Sequence, residues 1–204
     1  MRSIGCLLLT GAVCLWNASP ACSWGGKGHE IVGAIAEARL TDTARKRIKE
    51  LLSQGTTLAD ASTWPDKAGR QIPDMDAYHY VNLPKDANTY DQQRDCKLRN
   101  CVIEAIAWYV QVLKSQDAPR NKKRIALRFV AHLGDIHQPL HAGFAEDRGG
   151  NGLDVRFNGR KENLHSLWDT ALVELEHGTP AEIAARIHAI GNRRGSAAMA
   201  GRNA

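Results

Sequence analysis

Residues 132–141 read HLGDIHQPLH, so three histidines and an aspartate fall within ten positions. Imidazole nitrogen and carboxylate oxygen are the usual zinc donors, and the stretch is either part of a metal site or a polar helix end. Other segments supply the same donor types. In HSLWD, His165 and Asp169 stand at i and i+4, on one face of a helix. Asp66 follows Pro65 in STWPDKAGR, and His79 lies in YHYVN. If the chain is cut before Trp24 it opens WGGKGH, with a free α-amine, the Trp24 carbonyl and His29 in a glycine-rich turn. An α-amine with a pKa of about 7.7–8 can lose its proton to a metal at neutral pH. Glycines let so short a segment curl around one ion. Taken singly these are a turn residue, a packed ring, a surface pair and a loose terminus. Together His29, His79, His132, His141, His165, Asp66, Asp135, Asp169 and the Trp24 terminus suffice for three zinc ions with positions left for water. His137 lies between the donors as a supporting or exposed residue.

The start of the chain explains why a cut before Trp24 is expected. Arg2, the apolar run Ile4 to Trp16, and the small residues Ala21 and Ser23 have the form of a secretory signal peptide. That run is too short to span a bilayer, and no later run approaches ~18 apolar residues, so a mature transmembrane helix and a stable membrane association are not expected. The implied plan is a leader at 1–23, one domain at 24–190 and an irregular basic tail at 191–204. The product would be secreted or periplasmic, with a monomer as the expected state. Cys6, Cys14 and Cys22 would leave with the leader, and the remaining pair, Cys96 and Cys101, would close a disulfide in an oxidising compartment. Acylation of Cys22 as a lipoprotein would instead strand an odd cysteine. The formal charge of +5 falls to +4 without Arg2, an excess that suits a phosphate-bearing substrate, although much of it lies in the tail.

The elements that must position the donors are mainly helical. Apolar residues from Gly28 to Leu52 follow helical spacing, as one helix or as two broken near Thr41-Asp42. YHYVNLP at 78–84 reads as a short strand-like run, and 85–100 as polar turns held by the cysteine pair. Val102 to Leu113 and Arg124 to Gln138 form amphipathic helices separated at Pro119. GFAEDRGGNGLDVRFNGR, with five glycines and an alternating Leu153 to Phe157, predicts a loop and β-hairpin. Leu164 to Glu176 and Pro180 to Ile190 are the last predicted helices. The sum is a mainly α single domain with a small β-hairpin.

In this order, WGGKGH, WPD, HYVN, GDIHQPLH, GGNG and NLHSLWD resemble the S1/P1 nuclease family of zinc-dependent, single-strand-specific nucleases. Bacterial zinc phospholipases C are more distant. The likeness runs from Trp24 to about Leu175 and extends to the Cys96–Cys101 disulfide. It implies an all-helical fold of phospholipase C/nuclease type with three zincs in a cleft. One zinc would lie on Asp66, His79 and His132, a second on the Trp24 amine and carbonyl with His29, and a third on His141, His165 and Asp169, with Asp135 bridging the first two. A hydroxide held between the first two ions, with Asp66 and Asp135 as the catalytic carboxylates, would attack phosphorus, while the third ion takes up charge on the departing oxygen. The products from single-stranded DNA and RNA would carry 5′-phosphates, and 3′-phosphates of mononucleotides would also be removed. Lys67 and Arg70, by residue type, and Asn163 would contact substrate. Trp64, Tyr78 or Tyr80 would stack an unpaired base, or each packs in the core instead. The alternatives are a zinc phospholipase C on the same cluster and a catalytically impaired remnant.

Two departures follow. The family spacing H-x-x-G-D is shortened here to HLGD, which puts His132 and Asp135 at i and i+3. One residue fewer turns the upstream helix by ~100° unless the chain tightens locally. The chain also ends several tens of residues earlier than the family implies, as though shortened.

Overall fold

The computed structural model describes residues 24–68 and 75–200. The expected leader at 1–23, Arg70 and the last residues of the expected tail lie outside them. Helix α1 (Gly26–Ala38) is separated from α2 (Asp42–Leu51) at Thr41, whose side chain accepts the Ala44 N–H and caps α2. The break expected near Thr41-Asp42 is therefore a true helix boundary. α3 (Leu58–Ser62) starts with a capping box in which Thr57 and Asp60 satisfy each other's main-chain N–H groups. The short helix α4 (Trp64–Ala68) follows directly.

The central pair is α6 (Val102–Lys114) and α7 (Arg120–His132), reached through the one-turn helix α5 (Gln92–Asp95) and the Cys96–Cys101 disulfide. α7 carries Ala126 and Phe129 into one apolar cluster and Leu127 into a second, and the residue just past its end, Leu133, enters a third. Phe129 stacks on Tyr109 beside Met75 and Ala126, Leu127 meets Leu52, Leu58 and Ala61, and Leu133 packs with Val81 and Val102. α1 packs on α3 and on α10 (Pro180–Ala200), and α3 packs on α7. Strands β1 (Asp154–Phe157) and β2 (Arg160–Asn163) form the expected hairpin, paired antiparallel from Asp154 with Asn163 to Phe157 with Arg160. The fold is a mainly helical domain with one two-stranded hairpin.

Three elements differ from the sequence reading. Tyr78 and His79 close a 3-10 turn, Met75–His79, and only Leu83 of the expected strand pairs, through a bridge to Phe144. α10 continues to Ala200, past the Gly191 where an irregular tail was expected. The run carries Ala197, Ala198 and Ala200, strong helix formers, so the helix can continue without an apolar stripe. The helix expected from Leu164 to Glu176 is α8 (Leu164–Ser166), a π-helical turn at Leu167–Ala171, and α9 (Leu172–Glu174). Among the described residues, no helix is long and apolar enough to cross a membrane.

Candidate metal centre

The buried polar side chains are concentrated at the predicted donors. Of the ten buried polar or charged residues among the described ones, seven are His29, His79, His132, Asp135, His141, His165 and Asp169. So many titratable groups stay inside a protein only when they are paired or hold a metal, which excludes the polar-helix-end reading of HLGDIHQPLH.

Asp135 is fully buried at the centre. Its Oδ1 faces the Trp24 main-chain N–H at 3.1 Å, His29 Nε2 at 3.3 Å and His141 Nδ1 at 3.5 Å. Its Oδ2 faces His132 Nε2 at 2.9 Å and His79 Nδ1 at 3.1 Å. The two oxygens thus look toward two different donor sets. Asp66, about a third exposed (35%), stands over both, 3.7 Å from His29, 3.8 Å from His132 and 4.0 Å from His79. The third set joins these through His141: its Nε2 lies 3.4 Å from Asp169 Oδ1, and His165 Nε2 lies 3.2 Å from Asp169 Oδ2. His141 and His165 stack at 5.0 Å.

The shortened HLGD spacing is absorbed by a change of helix type. α7 ends at His132, and Leu133–His137 is a 3-10 turn. With three residues per turn, i and i+3 eclipse, so His132 and Asp135 point the same way despite the missing residue. Gly134 lets α1 press onto this turn, because a Cβ there would meet Val32 Cγ1 at 2.6 Å. That contact holds His29, also on α1, against Asp135. The strap before α1 is tied at both ends of the site: Trp24 N–H donates to Asp135, and Gly25 N–H donates to the Asp169 carbonyl at 2.9 Å. The Trp24 ring lines an apolar cavity of about 320 Å³ with Ile31, Ile35, Trp168 and Ile183, which anchors the strap.

Two main-chain carbonyls that the sequence reading missed set the imidazole tautomers. His132 Nδ1 donates to Ser62 O at 2.7 Å, and His165 Nδ1 donates to Gly149 O at 2.6 Å. A carbonyl only accepts, so Nδ1 carries hydrogen in both rings and Nε2 is the atom turned to the carboxylates, the arrangement found behind metal-bound histidines. The GGNG motif was visible, and its first glycine supplies this carbonyl. Gly149 has φ +60°, and a Cβ there would lie 2.5 Å from Leu140 O.

The charge states suit cations. Burial drives the His29 imidazole down to about 3, against the attraction of Asp135, so the ring is neutral at physiological pH. Burial alone would raise the Asp135 carboxyl, but hydrogen bonds from His132 and His79 hold it far below the carboxylate range. Asp169 is likewise opposed by burial and lowered on balance by hydrogen bonds with His141, His165 and Gln138. Burial would lower His132, yet Asp135 and Asp66 raise it, so without a metal this ring competes for a proton.

Donor atoms around a tetrahedral zinc with bonds of ~2.0–2.1 Å stand ~3.3–3.4 Å apart. The 3.2–3.4 Å separations in the His141/His165/Asp169 group meet that spacing, as does His29 to Asp135 at 3.3 Å. His132, His79 and Asp135, at 2.8–3.1 Å, would spread by a few tenths of an ångström around an ion. His141 Nδ1, 3.5 Å from Asp135 Oδ1, makes no hydrogen bond there. Three groups, His29/Asp66/His132, His79/His132/Asp135 and His141/His165/Asp169, could hold metal ions.

The other predicted residues divide. Lys67 is exposed on α4 and donates to Thr63 Oγ1 at 3.2 Å. Asn163 Oδ1 accepts the Ser166 N–H and caps α8, so it orients the helix of His165. Trp64 and Tyr78 pack edge-on against Phe129, at 6.1 and 6.4 Å, so they serve the core. Tyr80 is half-buried, and His137 is exposed. Cys96 and Cys101 form the expected disulfide.

A helical fold that brings imidazoles and carboxylates from distant segments around one shared aspartate defines a class: helical proteins with a candidate multi-metal centre. Comparison with known proteins gives the family. The S1/P1 Nuclease family model matches residues 24–195, and the chain belongs to that family. It is 39% identical over 173 residues to Endonuclease 2 of Arabidopsis thaliana, covering 78% of this chain and 59% of that protein. It is 36% identical over 177 residues to Nuclease S1 of Aspergillus oryzae, covering 82% and 61%. It is 35% identical over 159 residues to Nuclease P1 of Penicillium citrinum, covering 72% and 57%. The chain therefore spans about three fifths of the length of these relatives.

Proposed function

We propose that the protein is an exported zinc-dependent endonuclease that hydrolyses phosphodiester bonds in single-stranded DNA and RNA, leaves 5′-phosphates, and also removes 3′-phosphates from mononucleotides. The observation that carries the reading is the division of Asp135 between two donor sets, one oxygen to each, with a third set joined through His141. In this reading Asp66, His79 and His132 hold one zinc, Trp24 and His29 a second, and His141, His165 and Asp169 a third. Removal of residues 1–23 frees the Trp24 amine where its main-chain nitrogen now meets Asp135. The Cys96–Cys101 disulfide accords with an oxidising compartment.

Zinc in these groups supplies a water of lowered pKa and positive charge for the phosphate oxygens. The chain's own residues do the rest. Ser62 O and Gly149 O fix the rings, His29 enters the site neutral, and Asp135 and Asp169 enter it ionised. Asp66 has the only partly exposed carboxylate of the set and marks the side from which substrate reaches the centre. Lys67, next in sequence and exposed, contributes a cation for a phosphate on that side.

The test is cleavage of a labelled single-stranded DNA and of the same sequence as a duplex, with and without a chelator. Preferential cleavage of the single strand to 5′-phosphorylated products, abolished by chelation and restored by zinc, supports the reading. Cleavage indifferent to chelation contradicts it. Release of the phosphorylated headgroup from phospholipid vesicles, without nucleic-acid cleavage, would move the assignment to a phospholipase C.

A further inference from the structure

Gln138 has no place in the donor set and is fully buried beside it. Each of its polar groups is tied to a donor or to the turn that carries one. Its main-chain N–H donates to the Asp135 carbonyl at 2.9 Å, and its carbonyl accepts the His141 N–H at 3.0 Å. Its Oε1 accepts the Leu140 N–H and caps the 3-10 turn Pro139–Ala142, on which His141 sits. With Oε1 so engaged, Nε2 must face the other way, where it donates to Asp169 Oδ1 at 2.6 Å.

We propose that Gln138 is the positioning residue of the third donor group, a single amide that fixes His141 through its turn and Asp169 through its carboxylate. The inference rests on the metal reading above. An amide is the side chain that does both tasks, because it accepts on one end and donates on the other. An ionised Glu would keep the cap but lose the donor and set a second negative charge against Asp169. Met would keep the length, leave the Leu140 N–H without its cap and take the amide donor from Asp169 Oδ1, which would keep only His141. Lys or Arg would neutralise Asp169 and repel a cation. A neutral donor orients the carboxylate and leaves its charge for the metal.

The experiment measures zinc per chain, and zinc retention against a competing chelator, on protein beginning at Trp24. It compares the wild type with Gln138→Glu and Gln138→Met, with circular dichroism to confirm folding. The expected result is three zincs in the wild type and selective weakening of one of them in both variants, by about 10–100-fold, the usual effect of losing a partner behind a ligand. If Gln138→Met fails to fold, Gln138→Glu, which keeps the cap, carries the test. In an Asp169→Ala background, Gln138→Glu should not change zinc retention further, whereas a merely structural role would still show. Three zincs held as tightly in the variants as in the wild type, or equal weakening of all three, would overturn the proposal. A wild type without three zincs would instead remove the metal reading beneath it.

Discussion

The two carboxylates at the heart of the site are built in opposite ways. Asp135 gathers nitrogens from Trp24, His29, His79, His132 and His141, segments spread over most of the domain. Asp169 is served by His141, His165 and Gln138, from the Pro139–Ala142 turn and the segment around α8. The first group depends on how α1, α4 and α7 pack, and its donors crowd to 2.8–3.1 Å. The second depends on local turns and already stands at zinc spacing. A fault in long-range packing should therefore damage the Asp135 groups first, and a fault in the hairpin or its flanking turns should damage the Asp169 group first.

The strongest way to break the comparison is to remove the shared acid. Asp135→Ala should cost two of three zincs while His141, His165 and Asp169 retain theirs. Cleavage should fall by ~10³-fold or more, the upper range for losing one preorganised electrostatic group. Zinc content and single-turnover cleavage measure both. Retention of all three zincs would show that Asp135 does not bridge.

Two glycine substitutions sharpen the contrast, each expected to cost ~1–3 kcal/mol of stability from overpacking. Gly134→Ala drives a methyl into Val32 and should weaken the zincs around Asp135, with partial rescue by Val32→Ala. Gly149→Ala places a methyl 2.5 Å from Leu140 O at φ +60° and should weaken the zinc at His165. Denaturant melts with zinc retention distinguish the two, and identical zinc losses from both would erase the distinction between the groups.

A last comparison is the pH response of the metal-free protein, which leaves the metal sites aside. His29 is neutral in the fold down to about 3, while the unfolded chain takes up a proton near 6.5. The unfolded state therefore binds more protons in that window, so this residue makes stability fall as pH drops below about 6.5, by at most ~1.4 kcal/mol per pH unit for one proton. His132, whose pKa is raised, acts in the opposite sense: its contribution is present below about 6.5 and is lost as pH rises through its folded value. Melting curves of wild type and His29→Gln between pH 4 and 7 isolate the His29 contribution, and parallel curves would show that His29 is not held neutral by burial.

The candidate donor residues, which the fold brings together, were legible because metal chemistry restricts residue types and the motifs stand in a recognisable order. The hairpin and the Thr41 boundary were legible from alternation and capping. What was not legible depends on packing. The 3-10 turn at Leu133–His137 reconciles His132 with Asp135, and nothing in HLGD announces it without the pressure of α1 on Gly134. Trp64 and Tyr78 look like stacking platforms in a motif and turn out to lean on Phe129, since an aromatic beside a ligand does not reveal which way it faces. Gln138 sits in plain view between two donors, yet its role appears only once Asp169, distant in sequence, is brought to its amide.

The central claim is that one domain assembles three metal sites despite its shortened ligand helix. The most direct test is zinc per chain on protein with Trp24 as its first residue, with single-stranded DNA cleavage followed on the same sample. About three zincs, with cleavage lost on chelation and regained with zinc, is the predicted result. One zinc or none, with no cleavage, would contradict the account and leave the 3-10 turn as a repair of geometry without recovery of function.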